Sequence, residues 1–63
     1  MSCQFGVGAH VKVIDSGHPQ FNATGHIIRS HDFGTVCGHK IVPDGGAEWS
    51  VFAAFDYQLE LVP

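Results

Sequence analysis

Five histidines (His10, His18, His26, His31 and His39) and two cysteines (Cys3 and Cys37) stand in a chain of 63 residues. Neutral imidazole and thiolate are ligands that suit zinc, and imidazole is also the usual general base. Cys37 and His39 lie two apart, so on a strand they share a face. A structural zinc site needs further ligands, but no C-x-x-C occurs and Cys3 lies near a terminus expected to be loose. We therefore expect no metal and no cofactor. His10 and His26 fall on neighbouring strand faces, where they are expected to pair across a sheet as a structural contact.

For covalent chemistry the candidates are Cys37 with His39, or Ser16 with His18 and Asp15. Neighbours in sequence rarely acquire triad geometry, because the fold normally brings the partners together. A domain this small is also expected to have little room for a pocket of about 300 Å³. The glycine-bearing stretches "GVGAH" and "DGGAE" open no helix, so no phosphate cradle is expected. No catalytic residue is assigned.

The elements that must position these side chains are short. "AHVKVID" (Ala9 to Asp15) alternates, with Val11 and Val13 on one face and His10 and Lys12 on the other. "SGHPQFNA" is loop chemistry. "TGHIIRS" predicts a strand, "HDFG" a turn, and "TVCGHKIV" a further strand with Gly38 as a candidate bulge or close approach. "PDGG" is a strong turn signal. "AEWSVF" (Ala47 to Phe52) predicts a fourth strand and "AAFDYQ" a single 3-10 turn. "LELV" predicts a short last strand, stopped by Pro63. The expectation is one all-β domain over residues 1–63, with five strands, one 3-10 turn before the last strand, and residues 1–6 loose.

Val11, Val13, Ile27, Ile41, Trp49, Val51 and Leu59 are the expected core. Period two then turns Ser50 and Phe52 outward. With Phe21 and Phe55 they form the candidate binding face, unless Phe52 is tucked under the long loop.

Charge narrows the partners. Lys12, Arg29 and Lys40 stand against six carboxylates, a formal charge of −3. Three scattered cations make no basic stripe, so nucleic acid is expected to bind only weakly and without sequence preference. Charged residues are only 14% of the chain, which favours association over solubility. No apolar run approaches 18 residues, so no membrane-spanning helix is expected. No secretory leader is apparent, so the expected location is cytoplasmic, where both thiols would stay reduced.

The order of elements, with the ending "FDYQLELV", resembles the SH3-like small barrels over almost the whole chain. That resemblance implies a last strand that closes the sheet against the first. "FGVGAHVKV" and "LELV" also look like the type II, plasmid-borne dihydrofolate reductases, whose SH3-like subunits build an active site in a tetramer pore. The family's pore motif is Val-Gln-Ile-Tyr. Here the matching stretch is Trp49-Ser50-Val51-Phe52, or Val51-Phe52-Ala53-Ala54, and neither supplies the Gln or the Tyr hydroxyl. Phage and mobile-element proteins commonly carry such barrels. The expected function is thus a small non-catalytic binding or assembly module of that type, homo-oligomeric or bound to a protein partner. The alternative is a small-molecule-binding or reductase-like homo-oligomer, and the third reading is a weak nucleic-acid binder.

Overall fold

A computed structural model describes residues 3–63. Five strands form one antiparallel sheet: β1 (His10–Val13), β2 (Thr24–Asp32), β3 (Cys37–Pro43), β4 (Phe52–Phe55) and β5 (Leu59–Leu61). Their order across the sheet is β4-β3-β2-β1-β5. A 3-10 turn over Asp56–Gln58 joins β4 to β5. These two strands are the opposite edges of the sheet, yet only three residues connect them. The sheet must therefore curl until its edges approach, and Ala54 and Leu59 meet in one core with Val11, Val13, Ile27 and Ile41. β5 pairs with β1, placing Val13 opposite Leu59 and Val11 opposite Leu61.

Alternation explains the inward set. Val11 and Val13 on β1, and Cys37, His39 and Ile41 on β3, recur at period two and are buried. Burying apolar side chains of this size stabilises by about 1.5–3 kcal/mol each. β2 breaks its own alternation with an irregularity in the pairing between Ile27 and Arg29. Ile27 faces the core before it, and Ser30 turns toward the core after it, leaving Ile28 and Arg29 exposed. A bulge changes which residues face inward without moving the strand elsewhere.

The fourth strand begins later than the sequence suggests. After Pro43, Gly46 N–H bonds the Pro43 carbonyl and Ser50 N–H bonds the Ala47 carbonyl, so a first 3-10 turn takes Glu48–Ser50. Pairing with β3 resumes only at Phe52, opposite Ile41. Phe52 and Ala54 consequently face inward, and Ala53 and Phe55 face outward. Trp49, expected in the core, is 87% exposed, because the turn closes through its own backbone and never presents that side chain to the sheet. Val51 is half-buried rather than central.

The cysteines correct a second expectation. Cys3 and Cys37 form a disulfide, with Cα atoms 5.4 Å apart, rather than remaining as free thiols. The N-terminal segment is tied at two further points. Gln4 N–H donates to Asp56 Oδ2 at 3.0 Å, and the Phe5 side chain packs on the core.

Candidate functional site

The outward face of β2, β3 and β4 carries two cross-strand rows. Arg29, Lys40 and Ala53 form one; His31, Gly38 and Phe55 form the next. Gly38 is a close-approach position. A Cβ there would lie 2.9 Å from Cε2 of Phe33 and 3.6 Å from Cε1 of Phe55. Bare backbone thus lets two rings meet across the strand, edge to face at 6.4 Å between centroids. His31 sits against Phe33 at 4.4 Å, and Tyr57 stacks on Phe55 at 5.9 Å. The result is a continuous row of four rings in which Phe33 and Tyr57 are exposed.

Beside this row lies an open cleft of about 440 Å³, lined among others by Arg29, His31, Phe33, Lys40 and Phe55. That exceeds what so small a domain was expected to provide, because the curl of the sheet and the aromatic row build walls above the β3–β4 surface. One end is closed by His18 of the long loop. Its Nδ1 accepts the Gln20 N–H at 2.9 Å, so the proton sits on Nε2, which donates to the Ala53 carbonyl at 2.8 Å. Two of the chain's three cations, Arg29 and Lys40, are placed directly opposite each other here, and among the described residues neither has a hydrogen-bond or ion-pair partner. Like charges in that relation destabilise a sheet. The third cation, Lys12, by contrast lies opposite Glu60.

Behind the cleft runs a buried polar chain. Ser30 Oγ bonds His39 Nδ1 at 2.7 Å, and His39 Nε2 bonds Asp56 Oδ1. The His39 side chain is fully buried. Ser, His and Asp are the residue types of a nucleophilic triad, but the ring nitrogens are exchanged relative to that arrangement, in which the hydroxyl meets Nε2. The other oxygen of Asp56 takes the Gln4 N–H. Every polar atom here is committed to holding β2, β3, the second 3-10 turn and the N-terminal segment together. Sequence reasoning missed this chain because its members lie 9 and 17 residues apart.

A second polar group occupies the outer surface of β1 and β2. His10 stands opposite His26, as expected, and their rings stack at 4.5 Å. Both point at Asp44, from His10 Nε2 at 2.6 Å and from His26 Nδ1 at 3.4 Å. The hydrogen bond with His10, and then that from the Thr24 hydroxyl at 2.7 Å, hold the Asp44 carboxyl below the usual carboxylate range.

The candidate apolar face does not assemble as one surface. Phe52 is half-buried against the core, with its ring edge-on to His18 of the long loop at 5.8 Å. Ser50 ends the first 3-10 turn and is half-buried. Phe21 is exposed on the long loop. Of the four residues, Phe55 alone belongs to the aromatic row. Cys37 and His39 do share a face, but the thiol is in the disulfide and the imidazole in the buried chain. Asp15, Ser16 and His18 form no triad: Asp15 Oδ1 accepts the Gly17 N–H, and both ring nitrogens of His18 are committed elsewhere.

No family model matches this chain, and neither does any curated protein or solved structure.

Proposed function

We propose that this domain is a non-catalytic binding module of SH3-like barrel type. Its ligand is an anion carried on a flat apolar group, held in the cleft over β3 and β4. The observation that carries this reading is the Arg29–Lys40 pair, two like charges set directly opposite each other without an acidic partner among the described residues. An anion placed between them turns that repulsion into attraction, and the ring row beside them offers π-faces for the apolar part. A cleft of this volume suits a small ligand or one segment of a chain. The strand order, the closure of β5 on β1 and the 3-10 turn before β5 support the barrel assignment.

The test is a chemical-shift titration with 1-naphthyl phosphate, 1-naphthol and inorganic phosphate. Naphthyl phosphate should bind best and shift the amides of β3 and β4. Arg29→Gln, Lys40→Gln and Phe55→Ala should each weaken it about tenfold, the scale of one charged or aromatic contact. Equal response to all three probes, or indifference to the three substitutions, would remove the reading.

A second reading, self-association, is favoured by Trp49, whose side chain is 87% exposed on a weakly charged surface. Sedimentation velocity of wild type and Trp49→Ser tests it: an oligomer that dissociates in the variant supports it, and a monomer in both removes it. No helix among the described residues is long and apolar enough to cross a membrane. The Cys3–Cys37 bond favours an oxidising compartment over the cytoplasm as the place where the domain works.

A further inference from the structure

We propose that His10, His26 and Asp44 form a divalent transition-metal site, independent of the cleft, that takes Zn²⁺ with solvent completing the coordination. The three residues come from three places in the sequence, and strand register brings them together. His10 and His26 are directly opposed on β1 and β2, and Asp44 follows β3 at the position across from Thr24.

One ligand atom from each residue lies within 4.8 Å of the other two. Zinc bonds of about 2.0–2.2 Å at tetrahedral angles separate neighbouring ligand atoms by about 3.3 Å. His26 Nδ1 lies 3.4 Å from Asp44 Oδ1 and His10 Nε2 lies 2.6 Å from Asp44 Oδ2, so each imidazole faces a different oxygen of the carboxylate. A cation replaces the proton that His10 and Asp44 share, and rotation of exposed side chains supplies the remaining adjustment. Two imidazoles and one carboxylate make a borderline donor set that suits zinc better than calcium or magnesium.

The carboxylate is also oriented from behind. Thr24 donates its hydroxyl to Asp44 Oδ2, and Asp44 N–H bonds the Thr24 carbonyl at 2.9 Å. Outer contacts of this kind fix a metal ligand's direction and commonly change affinity 10–100-fold. His26 and Asp44 are exposed, so a cation and its waters reach the site without any movement of the core. The expectation of no metal rests on spacing along the chain, and spacing does not register ligands that converge from paired strands.

The experiment is calorimetric and NMR titration of the untagged, disulfide-bonded protein with zinc chloride alone. One equivalent should bind, and the ring resonances of His10 and His26 should shift while that of His39 stays. His26→Ala, His26→Gln and Asp44→Asn should each weaken binding at least tenfold, and Thr24→Val should weaken it by a smaller factor. His31→Ala, a loss of an exposed histidine outside the cluster, should leave it unchanged. Thermal melts without zinc verify that every variant is folded. Absence of binding at millimolar zinc, binding retained in folded His26→Gln, or equal loss in His31→Ala would each overturn the proposal.

Discussion

Two groups in this molecule are built from the same chemistry, a hydroxyl, imidazole and a carboxylate, and they differ in what is left over. In Ser30–His39–Asp56 the imidazole is buried, both its nitrogens are bonded, and the carboxylate is also capped by a backbone N–H. In Thr24–Asp44–His10–His26 two imidazoles share one exposed carboxylate. The buried group is saturated, so its worth is structural: removing Ser30 or Asp56 strands a ring nitrogen of the fully buried His39 away from water. The exposed group loses little when one member leaves, and its unused donor capacity is available to a ligand. Residue type alone does not separate the two; saturation and burial do.

The largest expected effect reaches the buried group through its covalent neighbour. The Cys3–Cys37 bond closes a loop with a sequence separation of 34 and holds Gln4 where it caps Asp56. In the chain-entropy account such a bond contributes roughly 4 kcal/mol, against a total stability of roughly 3–9 kcal/mol for a domain of this length. Urea denaturation with and without reductant should show a loss of that order. A midpoint that does not move on reduction would mean that the buried group holds the N-terminal segment unaided.

Next in size is His39→Ala. It empties a buried position and leaves Ser30 and Asp56 without their shared partner, for an expected loss of about 3 kcal/mol. The matched change in the exposed group, His26→Ala, should stay within about 0.5 kcal/mol in metal-free buffer. Equal losses at the two positions would erase the distinction between them.

Much of this frame was legible in the sequence. Val11, Val13, Ile27, Ile41 and Leu59 are buried, the strand count and the closing 3-10 turn are as expected, and His10 does face His26. Alternation and turn residues carry those features, because both are local. Three features follow from neither alternation nor turn residues. The irregularity after Ile27 reverses which residues of β2 point inward, and that reversal is what delivers Ser30 to His39. The backbone bonds after Pro43 delay β4 and expel Trp49, although "AEWSVF" alternates as a strand should. Asp44 looked like a turn residue, and only its place across from Thr24 makes it a partner for two histidines.

Trp49 gives a smaller, sharper contrast with His39. Its native fluorescence should resemble indole in water and be quenched by iodide, and Trp49→Ala should change stability by no more than about 0.5 kcal/mol. A blue-shifted, protected emission in the monomer would return Trp49 to the core and move β4 by at least one residue.

The smallest expected effect concerns a carboxylate that belongs to neither group. Asp15 Oδ2 accepts the Gln58 amide at 2.8 Å, and Oδ1 accepts the Gly17 N–H at 2.9 Å. These bonds, the Gln58 one foremost, hold its carboxyl below the usual carboxylate range. A carboxyl with a lower pKa folded than unfolded stabilises the fold fully above its unfolded value of about 3.9, and that contribution is lost as pH falls through the folded value. Wild-type stability should therefore decline below about pH 4. Asp15→Asn cannot ionise, so its stability difference between pH 7 and pH 3, read from urea midpoints, should be smaller than that of wild type. Asp44, also held low, remains in the variant and should keep part of the slope. A slope unchanged by Asp15→Asn would assign the acid sensitivity to Asp44 and leave the Gln58 bond without energetic effect. A slope abolished outright would mean that Asp44 is as indifferent to acid as a free surface carboxylate, and its bonds to His10 and Thr24 would then stabilise nothing until a ligand arrives.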